Sequence, residues 1–404
     1  MKYIIVLGDG MADEPLADYG GKTPLQLAKT PMIDQLAKRA CCGQLITVPE
    51  HMHPGSEIAN LSVLGYDVPS VYEGRGTLEA ASMGVQLEEG DLALRCNMLT
   101  VENEKIKNHS AGHISSEEAH ELIDFLNEKL GSERIIFHKG VSYRHVLVIK
   151  GGKKQMDCTP PHDVPGQPFK KHLIKATNEQ AEETAELLNQ LIARSMEILP
   201  DHPVNQKLKA AGKEMATSIW PWSPGYKPQM PTLNDLFGIQ KSAVISAVDL
   251  IQGIGVYAGM EVIQVEGATG LYDTNYEGKA RATIDALADH DLVYLHIEAS
   301  DEAGHEGDVE LKTKTIEYLD QRVVKYLMEE TAKMEEPVTI AVLPDHPTPC
   351  ATTVHTKDPV PFLIYKPGVE GDQVETYDEF SVKAGSYGLL RGAEFMRALL
   401  QQNR

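Results

Sequence analysis

The chain has 404 residues, 42% hydrophobic and 24% charged, a balance that excludes disordered and fibrous classes. Its formal charge is −21, from 38 basic and 59 acidic side chains, and no Lys/Arg run interrupts that balance, so nucleic acid is not an expected partner. The five cysteines, Cys41, Cys42, Cys96, Cys158 and Cys350, form no CxxC pair, which predicts a reducing, cytoplasmic setting.

The first segment, MKYIIVLGDGM, has an apolar run too short to span a membrane, and no other stretch reaches that length, so no membrane partner is expected. It predicts a core strand over residues 3–7 that runs out at Asp9. Thr30-Pro31 opens a helix, with threonine as cap and proline in the first turn. The segment HPGSEIANLSVLGYD then places Ser56 at a helix N-terminus after a Pro54-Gly55 turn. Two readings of Ser56 stay open on spacing alone. It is a plain N-cap, or it is a nucleophile whose phosphoryl adduct rests on free backbone N–H groups.

The middle of the chain changes texture. Ser115-x-x-Glu118 and Thr177-x-x-Gln180 are capping-box patterns for amphipathic helices, with strands predicted at 134–137 and 144–149 between them. Proline-rich passages follow at 159–169 and 220–231. Residues 83–230 therefore read as a smaller inserted α+β domain, flanked by a core made of 1–82 and 231–404. Strand–helix alternation returns with strands expected at 243–248, 292–297, 338–343 and 361–365, and a helix over 308–333. Such alternation predicts an α/β core with a mostly parallel sheet flanked by helices.

Three of these strands run out in aspartate, at Asp9, Asp301 and Asp345. Active sites of open α/β sheets lie beyond the carboxyl ends of the strands, and carboxylates gathered there repel one another unless cations lie among them. Histidine accompanies two of them, as Asp301-x-x-x-His305 and Asp345-His346, and His355 follows on a loop. Mixed carboxylate and imidazole donors suit zinc or manganese better than calcium. Asp249, after a fourth strand, is read as structural.

These motifs resemble those of the cofactor-independent phosphoglycerate mutases, in their archaeal-type branch, within the alkaline phosphatase superfamily. The resemblance is carried by GDGMAD, PGSEIANLSVLGYD, YEGRGTLEAASMG, GATGLYDTNYEGK, DEAGHEGD, the PDH at 344–346 and HTKDPVPFLIY. It implies an alkaline-phosphatase-like core holding two divalent metal ions (Mn, Mg, Co or Zn), one on Asp9, Ser56, Asp345 and His346, the other on Asp301, His305 and His355. Ser56 falls on the serine that such enzymes phosphorylate. The implied reaction interconverts 2- and 3-phosphoglycerate through phosphoserine, without 2,3-bisphosphoglycerate, while a closing inserted domain excludes water. The implied substrate is thus a small phosphorylated carboxylate. Its contacts are expected at His109, His113, Arg144 and Arg75, and at a core lysine, Lys241 or Lys279. Arginines often stand where this chain has His109 and His113, and the stretch SIWPWSPG replaces a glycine- and arginine-containing one. That departure keeps a homoserine kinase-like phosphotransferase, or a phosphatase, as the alternative on the same metal core. A catalytically silent metal-binding module is the alternative of another class. Oligomeric state is not legible in the sequence.

Overall fold

The computed structural model describes residues 1–401. In chain order its strands are Lys2–Gly8 (β1), Cys41–Ile46 (β2), Asp91–Glu102 (β3), Lys105–Asn108 (β4), Ile135–Val141 (β5), Arg144–Lys150 (β6), Met156–Asp157 (β7), Lys175–Ala176 (β8), Ser218–Gly225 (β9), Ser242–Ile245 (β10), Glu261–Val262 (β11), Leu292–Ile297 (β12), Val338–Leu343 (β13), Val360–Tyr365 (β14) and Gly388–Arg391 (β15). The chain clusters into two compact units, Met1–Tyr72 with Met230–Arg404, and Glu73–Gln229.

The first unit is built on an eight-stranded sheet in the order β11-β10-β12-β1-β13-β14-β2-β15. Strands β12, β1 and β13 are parallel neighbours, with Tyr3 opposite Leu292 on one side and Thr339 on the other. Strand β14 runs antiparallel to both β13 and β2, so the sheet is mostly parallel rather than wholly so. Ile4, Ile5, Val6 and Leu7 are all fully buried. A continuous apolar run of this kind belongs to a strand covered on both faces. One covering layer includes Ile33 and Leu36 of the Pro31–Ala37 helix, Ala280 of the Tyr276–Ala286 helix and Ile316 of the Val309–Tyr318 helix. Because the three central strands point the same way, their carboxyl ends, Ile297, Gly8 and Leu343, share one edge.

The second unit holds an antiparallel sheet, β4-β3-β6-β5, with β9 added on β3. Its separate core gathers Leu94, Met98 and Leu147 from the sheet with Leu122 and Leu126 of the Ser116–Leu130 helix and Leu188 and Ile192 of the Glu182–Ile198 helix. Ser115 forms the expected capping box with Glu118. The second cap lies one residue on from the sequence reading, since the Asn178 side chain, not that of Thr177, accepts from the Ala181 N–H.

The second compact unit begins at Glu73, ten residues before the expected 83, and the Arg75–Ser82 helix packs on β3 and β9, with Gly76 against the backbone of Ala93, Arg95 and Ser223. The proline-rich passage from 220 is in part strand β9, with Pro221 opposite Cys96. Among the described residues β9 pairs with β3 alone, and a sheet edge tolerates residues that lack an N–H.

Candidate active site

Each strand-end aspartate is delivered by a different connection. Asp9 follows β1 directly, Asp345 lies two residues beyond β13, and Asp301 sits in the short Ala299–His305 helix after β12. All three are almost completely buried, as is His346. Gly10 lets the chains approach this closely. Its φ is +59°, and a Cβ there would lie 2.4 Å from Asp301 Oδ1 and 2.5 Å from Thr348 Oγ1.

Ser56 is the first helical residue of Ser56–Val63, and the cap position belongs to Gly55, with no side-chain cap bond. Its hydroxyl instead lies 3.1 Å from His346 Nε2. That nitrogen is also 3.5 Å from Asp9 Oδ1 and 3.4 Å from Asp345 Oδ2. A second group stands beside the first, with His305 Nε2 3.2 Å from Asp301 Oδ2, His355 Nε2 3.3 Å from Asp301 Oδ1, and the two Nε2 atoms 2.9 Å apart. The structure therefore brings Asp9, Ser56, Asp345, His346, Asp301, His305 and His355 into one neighbourhood.

The donor arrangement suits cations. Thr348 gives its hydroxyl proton to Asp301, so it accepts from His346 Nδ1 and leaves the His346 Nε2 lone pair facing two carboxylates and Ser56. His305 Nδ1 likewise bonds the Thr353 carbonyl at 2.8 Å and turns Nε2 inward. Fixing one ring nitrogen so that the other is free is the usual support of a ligating histidine. Asp9 Oδ1 is buried with no hydrogen-bond partner. Three groupings of these residues, Asp9-Asp345-His346, Asp301-His346-His355 and Asp9-Glu298-Asp301, could each hold a metal ion.

Electrostatics carry the same message. Burial, then repulsion from Asp345 and Asp301, pushes the Asp9 carboxyl well above its ordinary range. Burial also opposes ionisation of Asp301, but hydrogen bonds from His305 and His355 outweigh it and hold that carboxyl well below the usual range. His305, bonded to Asp301, is pushed up to about 9, so a proton does there what a cation would do. Burial lowers His346 despite Asp345 beside it.

Several supporting residues escaped the sequence reading. Asn60, one turn beyond Ser56, donates to both Asp345 Oδ2 and the Ser56 carbonyl at 2.8 Å, and Tyr294 donates to Asn60. His296 bonds Asp9, and Ser300 donates to the Asp9 carbonyl at 2.6 Å. The only sequence signal was a polar residue inside an apolar run, as with His296 in DLVYLHIE. The two candidate lysines part company. Lys279 is buried, bonds the His296 carbonyl at 3.2 Å, and is lowered to about 8 by burial against the pull of Glu298. Lys241 precedes β10, at the amino end of the parallel strands, where it pairs on the surface with Asp289.

The other four expected contacts lie in the second unit, in one cluster. His109 and His113 each present an edge to Tyr143, at 6.0 and 5.9 Å, and the Arg144 guanidinium lies over the same ring at 5.9 Å. Arg75 opens the Arg75–Ser82 helix, so it belongs to this unit and not to the core assigned from sequence. Between them is Arg95, a residue missed from sequence, bonded to Glu79 at 2.7 Å and Asn97 at 3.0 Å and stacked 5.1 Å from Trp222. Burial, then Arg75 and Arg144, lowers Arg95 in spite of Glu79. His109 and His162 are lowered too, by burial first and by Arg95 among their neighbours. Within an acidic protein this is a cationic island.

The family model described as 2,3-bisphosphoglycerate-independent phosphoglycerate mutase matches residues 37–205. The chain is similar to the protein of that name from Methanosarcina mazei, 49% identical over 99% of this chain and 100% of the relative. It is 46% identical to 2,3-bisphosphoglycerate-independent phosphoglycerate mutase 2 of Methanothermobacter thermautotrophicus, over 99% of this chain and 97% of that one. Among solved structures, a Pyrococcus horikoshii protein superposes with TM-score 0.83 at 30% identity, covering 100% of this chain and 98% of the other. The cofactor-independent phosphoglycerate mutase of Thermoplasma acidophilum superposes with TM-score 0.69 at 28% identity, over 99% of each chain.

Proposed function

Since the chain belongs to the archaeal-type family of 2,3-bisphosphoglycerate-independent phosphoglycerate mutases, we propose that it interconverts 2- and 3-phosphoglycerate with Ser56 as the phosphoryl acceptor. The observation that carries this reading is the position of the Ser56 hydroxyl, uncommitted to a cap and 3.1 Å from His346 Nε2 in the aspartate–histidine group. Two divalent cations, Mn, Mg, Co or Zn by donor chemistry, would be held by Asp9, Ser56, Asp345 and His346 and by Asp301, His305 and His355, and would supply charge that acidifies the Ser56 hydroxyl and neutralises the phosphoryl group.

Ser56 Oγ gives up its proton and bonds to phosphorus as the bond from phosphorus to the substrate oxygen breaks. That oxygen takes up a proton, leaving phosphoserine and glycerate. The other hydroxyl of glycerate then attacks phosphorus, and Ser56 recovers its hydroxyl. The amino end of the Ser56–Val63 helix, the positive end of its dipole, supports a phosphoryl group on its first residue. Arg75, Arg144, His109 and His113, with Arg95 among them, are assigned to the substrate anion, as is Lys279 of the first unit. Guanidinium groups grip carboxylate and phosphate in pairs. A cluster with three arginines thus suits a phosphorylated carboxylate better than homoserine, which carries no phosphate.

Rapid acid quench after mixing with 3-phosphoglycerate and Mn²⁺ tests the acceptor. The expected result is one phosphate on the peptide containing Ser56, absent in Ser56→Ala. Phosphate on a different residue, or turnover by Ser56→Ala at the wild-type rate, would refute the assignment.

A further inference from the structure

His296 lies in β12, fully buried, in a strand whose other residues are mostly apolar. Its two ring nitrogens have different partners. Nε2 is 2.9 Å from Asp9 Oδ2, and Nδ1 is 3.2 Å from Ser246 Oγ. Ser246, just beyond β10, already accepts at Oγ from the Val248 N–H at 3.0 Å. The Asp9 carboxylate facing Nε2 can only accept, so the neutral ring carries its proton on Nε2, donates there to Asp9, and accepts the Ser246 hydroxyl hydrogen at Nδ1. The Lys279 ammonium, on the adjoining Tyr276–Ala286 helix, bonds the His296 carbonyl.

The consequence falls on Asp9. Its Oδ2 is held by His296, its backbone carbonyl by Ser300, and Oδ1 alone is left buried without a hydrogen-bond donor, turned toward His346 Nε2. We propose that His296 is a positioning residue: held between Asp9 and the Ser246 hydroxyl, it fixes one oxygen of Asp9 so that the other is presented, as a single ligand atom, to a divalent cation. This rests on the two-cation reading of the site and extends it from the ligands to the layer that aims them. Asp345 is aimed in a comparable way by Asn60, but there the donor is an amide with no tautomer to set.

The test uses the full-length protein stripped of metal. Mn²⁺ binding by calorimetry is compared among wild type, His296→Leu, His296→Gln and Ser246→Ala. Loss of such a supporting group commonly weakens metal affinity by about 10–100-fold, and that is the loss expected for His296→Leu. Glutamine can place an N–H near the Nε2 position, so His296→Gln should recover most of the affinity. Ser246→Ala should fall between. Thermal unfolding in chelator checks that each variant is folded. Nitrogen-15 spectra of histidine-labelled wild type, with the His296 signal identified by its loss in His296→Gln, give a reading that does not depend on any variant's stability. The expected spectrum shows neutral imidazole protonated on Nε2. A ring protonated on Nδ1, or folded His296→Leu binding Mn²⁺ as tightly as wild type, would overturn the inference alone. Failure of the wild type itself to bind Mn²⁺ would overturn the two-cation reading and the inference together.

Discussion

A single hydrogen at Gly10, in place of a side chain, sets how closely the β1 exit approaches Asp301 and Thr348. Gly10→Ala adds a methyl in a left-handed conformation and against those two side chains. The expected outcome is Mn²⁺ affinity weakened by roughly tenfold or more, on the scale of lost ligand support, measured by calorimetry. Unchanged affinity would contradict the close approach. Glu379 offers a test by pH. It accepts from the Asp13 N–H and the Thr23 hydroxyl, and burial pushes it from 4.5 to about 7. The native state then binds a proton that the unfolded state releases above 4.5. The stabilisation is complete below 4.5 and lost as pH rises through 7, a swing of roughly 3 kcal/mol at most. Glu379→Gln keeps an acceptor and removes the titration, so urea midpoints between pH 5 and 8 should fall less steeply than in wild type. Parallel slopes would count against it. At this scale the sequence made the strand-end aspartates, the histidines and Ser56 legible through spacing and motif. It could not show His296, Asn60 or Thr348, whose bonds to the aspartates join residues 47 to 287 positions apart.

Among elements, the Val309–Tyr318 helix does more than cover the sheet. Its Lys312 is fully buried and donates to the carbonyls of Ala12 and Thr348 at 3.0 and 2.8 Å and to Asp13 Oδ2 at 2.8 Å. One ammonium thus ties the loop after β1 to the loop after β13. Lys312→Met leaves Asp13 buried with its charge uncompensated, and breaking such a pair costs roughly 3–5 kcal/mol. Denaturant unfolding should show that loss, and a change below about 1 kcal/mol would refute it. Strands β12 and β13 were readable to the residue because a buried parallel strand is a near-continuous apolar run. Strand β9 was not, since its prolines signal a loop unless the open edge of β3 is known. The start of the Pro31–Ala37 helix was likewise half legible. Proline marks its first turn, but Thr30 makes no cap bond, and Asp320 reaches the Met32 and Ile33 N–H groups from far along the chain.

On the scale of the molecule, an acidic protein places a cationic island in one unit and a carboxylate–imidazole group in the other, and each unit has its own core. The ends of the second unit lie together, with Gly225 packed on the Glu73 backbone and Lys154 paired with the Glu73 carboxylate. Adjacent ends are what insertion of an independent domain requires. Residues 73–229 expressed alone should unfold cooperatively on heating, followed by circular dichroism; a non-cooperative melt would contradict that independence. No helix among the described residues is long and apolar enough to cross a membrane. The change of texture in the sequence suggested a division at 83, whereas the compact unit begins at Glu73, since the Arg75–Ser82 helix reads in sequence as a continuation of what precedes it. The central claim is phosphoryl transfer through Ser56, and phosphorus NMR of 3-phosphoglycerate incubated with protein and Mn²⁺, without 2,3-bisphosphoglycerate, tests it most directly. The account predicts growth of the 2-phosphoglycerate signal with wild type and none with Ser56→Ala; no 2-phosphoglycerate from wild type with Mn, Mg, Co or Zn, or equal growth with both proteins, would contradict it.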